Sequence, residues 1–137
     1  MNRNEFIRLV GIGVGALVLA ECLQGCKKES AAPAQLTVDF TLDLSQPAYS
    51  ALNSNGGYVV TQKVIVARTL SGDFIAVAAA CTHQGTSVQY QASSHRFHCP
   101  NHGADFSESG SVQSGPASHD MQQMHTSLNN TLLHVTS

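Results

Sequence analysis

The sequence predicts an all-β domain of small antiparallel sheets, and three observations carry that expectation. Residues 36–44 alternate apolar and polar side chains, with Leu36, Val38, Phe40, Leu42 and Leu44 on one face and Thr37, Asp39, Thr41 and Asp43 on the other. A period of two places one face of a strand in a core and the other in water. After this stretch, short apolar segments recur between turn-forming residues, and no amphipathic helical pattern of ten or more residues follows the N-terminal leader.

The leader comes first in chain order. Residues 1–26 read as an export signal, with Arg3 and Arg8 giving a positive start and residues 9–20 an unbroken run of twelve apolar or glycine residues. As a helix that run spans about 18 Å, well short of the ~30 Å hydrocarbon core. Leu23-Gln24-Gly25-Cys26 resembles a bacterial lipobox, which implies lipidation at Cys26 and a lipid anchor on the outer or periplasmic face of the cell envelope; the alternative is a short N-terminal transmembrane anchor. Arg3-Asn4-Glu5-Phe6-Ile7-Arg8 also resembles a twin-arginine signal, with Asn4 at the second arginine position. Residues 27–34 have the composition of a flexible tether, and residues 35–137 form the folded domain.

Beyond residues 36–44, strands are expected at residues 58–60, 64–70 and 74–80, with Ser71-Gly72-Asp73 turning between the last two. Shorter candidates follow at residues 88–90, 97–98, 112, 121–124 and 132–135. Charged residues make up 12% of the chain and the net charge is -2, so no nucleic-acid surface is indicated. No nucleophile–base pair or phosphate loop points to independent substrate chemistry. Gly11-Ile12-Gly13-Val14-Gly15 has no preceding strand and is not read as a nucleotide motif.

Chemistry concentrates in Cys81-Thr82-His83-Gln84-Gly85 and Cys99-Pro100-Asn101-His102-Gly103, separated by the fifteen residues 84–98. Two soft thiolates and two imidazoles suit iron, zinc or copper. Gly85 and Gly103 would let the backbone approach a bound centre closely. Neither His95, His98, His119, His125 nor His134 has a partner at ligand spacing, so each is read as a surface or packed histidine. Asp105 and Glu108 are expected to be solvated.

The double Cys/His motif, with the run from Gly103-Ala104-Asp105-Phe106 to Gly115-Pro116-Ala117, resembles the Rieske iron–sulfur family. The resemblance covers about the last half of the chain. It implies a Rieske-like fold with two cluster-binding loops and one [2Fe–2S] cluster, held by Cys81 and Cys99 on one iron and His83 and His102 on the other. Gly85, Gly103, Ala104, Phe106, Gly115 and Pro116 would form the cluster's surroundings. Exchanging two thiolates for neutral imidazoles makes the oxidised centre uncharged, so it accepts an electron more readily: Rieske centres lie at about -150 to +300 mV against about -400 mV for plant-type ferredoxins.

Two departures from the family pattern sharpen the expectation. The cysteines that cross-link the loops in many respiratory members are replaced by Thr86 and Asn101. The Ser and Tyr hydroxyls that raise the potential in other members are replaced by Ala104 and Phe106, which implies a potential in the lower or middle part of the range. The resemblance therefore implies a one-electron carrier of the cell envelope, in a respiratory or other redox chain, between a quinol or cytochrome b type donor and a soluble or membrane acceptor. The alternatives are an electron-transfer subunit of a separate oxidase or oxygenase and a structural zinc module.

Overall fold

The structure, a computed structural model, describes residues 34–137. The expected export signal, the expected lipidation site Cys26 and all but the last residue of the expected tether lie outside the described residues. No helix among the described residues is long and apolar enough to cross a membrane.

Among the described residues, ten strands form two antiparallel sheets. The larger has the order β1 (Asp39–Asp43), β10 (Leu132–Thr136), β9 (Gln123–Asn129), β4 (Phe74–Ala78), β3 (Val64–Arg68), β2 (Tyr58–Thr61). The smaller has β5 (Gln89–Gln91), β6 (Arg96–His98), β7 (Asp105–Ser107), β8 (Val112–Ser114) in sequence order. The all-β expectation holds, and the alternation of residues 36–44 puts Phe40, Leu42 and Leu44 in the core.

β3 explains why its sequence, Val64-Ile65-Val66-Ala67, does not alternate: all four are buried, because both faces of the strand are covered. Val64 and Val66 join Phe40, Leu42, Leu52, Met124, Leu133 and Val135 in one core. Ile65 and Ala67 join Val77, Tyr90, Phe97, Phe106 and both Cys81 and Cys99 in the other. Cys81 and Cys99 thus stand on a packed apolar floor.

Two turns show contrasting solutions. Ser71-Gly72-Asp73 closes the β3–β4 hairpin, with Thr69 N–H donating to the Asp73 carbonyl at 2.8 Å. The β2–β3 turn instead holds Gln62 and Lys63 at φ 49° and 65°, a left-handed pair usually given to Asn and Gly. A 3-10 helix at Pro47–Asn53, begun by proline, covers one core with Leu52. Arg68 binds it to the sheet by donating to the Leu52 and Asn53 carbonyls at 3.4 and 3.2 Å.

Between the neighbours β4 and β9 the chain makes one excursion that contains the whole small sheet. It leaves at Ala78 and returns at Gln122, where Ala78 N–H donates to the Gln122 carbonyl at 2.9 Å. The Gln122 side chain grips the start of the domain, accepting from Leu36 N–H at 2.7 Å and donating to the Leu36 carbonyl at 2.9 Å.

Candidate metal centre

The excursion opens with the first Cys/His loop, residues 81–86, after a bridge pairing Ala80 with Ser87. The second, residues 99–104, joins β6 to β7, whose last register pair is His98 with Asp105. Both loops close with one hydrogen-bond pattern. Cys81 N–H donates to the Thr86 carbonyl at 2.8 Å and Gly85 N–H to the Cys81 carbonyl at 2.8 Å. Cys99 N–H donates to the Ala104 carbonyl at 2.8 Å and Gly103 N–H to the Cys99 carbonyl at 3.1 Å. Cys-x-His and Cys-x-x-His are therefore the same turn with the histidine moved by one place.

That turn explains the glycines. Gly85 and Gly103 have φ of +74° and +75°, and apart from the adjoining residues no protein atom lies within 4 Å of a Cβ built on either. The left-handed backbone, rather than crowding by the protein, is the demand at both positions.

The donors fall into two pairs. Cys81 and Cys99 are buried, adjacent and not joined by a disulfide. Burial pushes the Cys81 thiol up; N–H groups of His83 and Gln84 aimed at its sulfur oppose this, and the neighbouring Cys99 adds to the rise. His83 and His102 are exposed, their ring centroids 5.0 Å apart and their planes at 83°. Among the described residues no three His, Cys, Asp or Glu side chains converge on a single ion. Two buried sulfurs beneath two exposed imidazoles fit a pair of bridged irons better than one tetrahedral ion.

A third loop, residues 115–122, packs against these two. A Cβ on Gly115, whose φ is +90°, would lie 2.6 Å from Ala104 Cα and 2.9 Å from the Gly103 carbonyl oxygen. Pro116 is exposed and Ala117 enters the core that holds both cysteines. Ala104 and Phe106 are fully buried. Thr82 Oγ1 donates to the His119 carbonyl at 2.7 Å, joining the first loop to the third. Asn101 Nδ2 donates to Thr86 Oγ1 at 3.3 Å and to Gln84 Oε1 at 3.4 Å, joining the second loop to the first.

The expectation that Asp105 and Glu108 are solvated is corrected. Asp105 is buried, and its carboxylate accepts from His98, Arg96 and Ser114. Glu108 is half-buried and accepts from the Tyr90 hydroxyl at 2.6 Å and His95 Nδ1 at 3.3 Å. Burial and the Glu108 carboxylate together push the Tyr90 hydroxyl well above its ordinary range. Hairpin register was the missing signal: once β6 and β7 pair, residues 98 and 105 must face each other.

Comparison with known proteins gives the same picture. A family model described as the Rieske [2Fe-2S] domain matches residues 44–125, more than half of the chain. The cytochrome b6-f complex iron-sulfur subunit of Chlorobaculum tepidum is 29% identical over 117 residues, covering 84% of this chain and 64% of the relative. The corresponding subunit of Synechococcus elongatus is 35% identical over 68 residues, covering 50% of this chain and 37% of the relative. The chain thus spans less than two thirds of the length of these curated relatives.

Among solved structures, the cyanobacterial plasma membrane Rieske protein PetC3 from Synechocystis is 29% identical with a TM-score of 0.55, covering 75% of this chain and 100% of that one. The ferredoxin of carbazole 1,9a-dioxygenase from Nocardioides aromaticivorans, with a TM-score of 0.56 and 18% identity, covers 74% of this chain and 98% of that one and shares the fold. The matched family carries a [2Fe–2S] cluster and works in electron transfer. With two loops of one closure, paired donors and a family match across residues 44–125, the chain belongs to the Rieske [2Fe-2S] domain family.

Proposed function

We propose that Cys81 and Cys99 hold one iron of the cluster and His83 and His102 the other, in a cell-envelope protein that passes single electrons along a membrane redox chain. The observation that carries this reading is the shared closure of the two loops, which sets buried sulfurs below and exposed imidazoles above. The cluster supplies a one-electron site whose oxidised form is uncharged. The chain's own residues bury the sulfurs, hold the loops in register and leave both imidazoles at the surface, where a donor or acceptor can approach.

The donor in this reading is a quinol or cytochrome b type component, in keeping with the b6-f subunits among the relatives. The anchor is a lipid on Cys26. Support for an envelope location comes from the lipobox and from likeness to a plasma membrane Rieske protein. A second reading, an electron-transfer subunit of a separate oxidase, is favoured by one observation: Thr86 and Asn101 join the loops without a covalent bond.

Electron paramagnetic resonance of the reduced protein, followed by redox titration at several pH values, tests the cluster. A rhombic signal with average g below the free-electron value is expected, and its loss in Cys81→Ser and His102→Ala variants. Zinc with no such signal in fully matured protein overturns the reading. A potential falling with pH above neutrality supports the quinol-linked chain, whereas a low, pH-independent potential supports the oxidase subunit. Metabolic lipid labelling that disappears in Cys26→Ser tests the anchor.

A further inference from the structure

We propose that Asp105 is a positioning residue for the metal centre, its carboxylate holding together the strand ends that carry the second and third loops. The inference rests on the ligand assignment proposed above. Asp105 begins β7, immediately after Ala104 closes the second loop. Its Oδ1 accepts from His98 Nδ1 at 2.6 Å, and His98 directly precedes Cys99. Its Oδ2 accepts from Arg96 at 2.8 Å and from Ser114 Oγ at 3.1 Å, and Ser114 directly precedes Gly115. Arg96 in turn donates to Gln91 Oε1 at 3.0 Å, so one carboxylate organises all four strands of the small sheet.

Placement separates positioning from simple stabilisation. His98, Asp105 and Ser114 each adjoin a loop residue that touches or flanks the centre: Cys99, Ala104 and Gly115. The register shift between Asp105 and Phe106 leaves the backbone ladder irregular at this point, where the side-chain bonds cross it. The Asp105 side chain is only 12% exposed, so without it the half-buried Arg96 loses its counter-charge and cannot be fully rehydrated in place.

The same sheet supplies a control. Glu108 also gathers a buried hydroxyl and a histidine, but Tyr90 and His95 lie toward the β5–β6 turn, away from the second loop. It adjoins none of the three loops. Its removal should cost stability and leave the centre unchanged.

The test uses the full cluster-loaded chain and the variants Asp105→Ala, Asp105→Asn, Ser114→Ala and Glu108→Ala. For each, g values of the reduced protein, midpoint potential and thermal midpoint are measured. Asp105→Ala and Asp105→Asn are expected to shift the g values and raise the potential. Ser114→Ala, which removes one bond and no charge, should shift the g values in the same direction by less. Glu108→Ala should lower the thermal midpoint with wild-type g values and potential. Wild-type g values in Asp105→Asn and Ser114→Ala overturn the proposal, even where Asp105→Ala does not fold. A Glu108→Ala variant that shifts the signal as far as Asp105→Asn also overturns it. Absence of a Rieske signal in the wild type itself marks failure of the ligand assignment instead.

Discussion

Asn101 reaches across to Thr86, its amide nitrogen 3.3 Å from the threonine hydroxyl, and so ties the two ligand loops together without a covalent bond. Asn101 is exposed and Thr86 half-buried, and such a bond contributes about 0.5–1.5 kcal/mol, at the low end where water competes. Asn101→Ala should therefore change overall stability by less than about 1 kcal/mol while hastening loss of iron to a chelator. The double substitution Thr86→Cys with Asn101→Cys should form a cross-link and slow that loss. Non-reducing peptide mass analysis and chelator kinetics check both outcomes.

Ala104 and Phe106 offer no hydroxyl to a cluster sulfur, and both are fully buried. One donated hydrogen bond worth ~1 kcal/mol corresponds to about 40 mV for a one-electron couple. Ala104→Ser should thus raise the midpoint potential by roughly 40 mV and the pair with Phe106→Tyr by on the order of 100 mV. A redox titration showing no rise would sink the expectation that this centre lies below the high-potential members.

The two kinds of glycine should respond differently. Gly115→Ala forces a left-handed φ on alanine and drives its Cβ to 2.6 Å from Ala104 Cα. A loss of about 3 kcal/mol or more is expected, with impaired cluster loading. Gly85→Ala meets open space and only the backbone strain, about 1–2 kcal/mol. Denaturant melts of both variants give the comparison.

Burial alone would raise the Asp105 carboxyl, but bonds from His98 and Ser114 and the Arg96 charge outweigh it and hold the carboxyl below its ordinary range. A lowered carboxyl pKa lends stability that is complete above the unfolded value of about 3.9 and is lost as the pH falls through the folded value. Asp105→Asn should therefore be less stable than wild type at neutral pH and flatten the acid limb of the stability profile. Thermal melts between pH 7 and pH 3 measure the difference; parallel acid limbs would contradict it.

Lys63 holds a left-handed φ of 65° in the β2–β3 turn. Lys63→Gly, which removes the steric cost, should stabilise the domain by up to about 1 kcal/mol without changing the potential. A higher denaturation midpoint with an unaltered redox titration is the expected result.

The two Cys/His loops were legible as a candidate site because their chemistry sits in consecutive residues, and strand β1 because five alternating apolar positions are enough to fix a period. β7 was not, since three residues, two of them polar, carry no period of their own; it exists because β6 and β8 pair with it. β9 was expected at residues 121–124 but runs from Gln123 to Asn129, with Met124 its one buried residue. Its polar sequence is held as a strand by β10 and β4 on either side. The bond between Asn101 and Thr86 and the network around Asp105 depend on register and loop shape, which no local pattern encodes.

Ala78 and Gln122, the two ends of the excursion, are hydrogen-bonded neighbours where β4 and β9 leave the large sheet. Closing that gate costs little additional chain entropy, because the six-stranded sheet already holds both ends in place. Loss of the cluster should therefore be a local injury, felt in the exposed Cys/His loops rather than in the core that the excursion shares with the large sheet. A protein built this way can be refilled with iron and sulfide without having to fold again from the beginning.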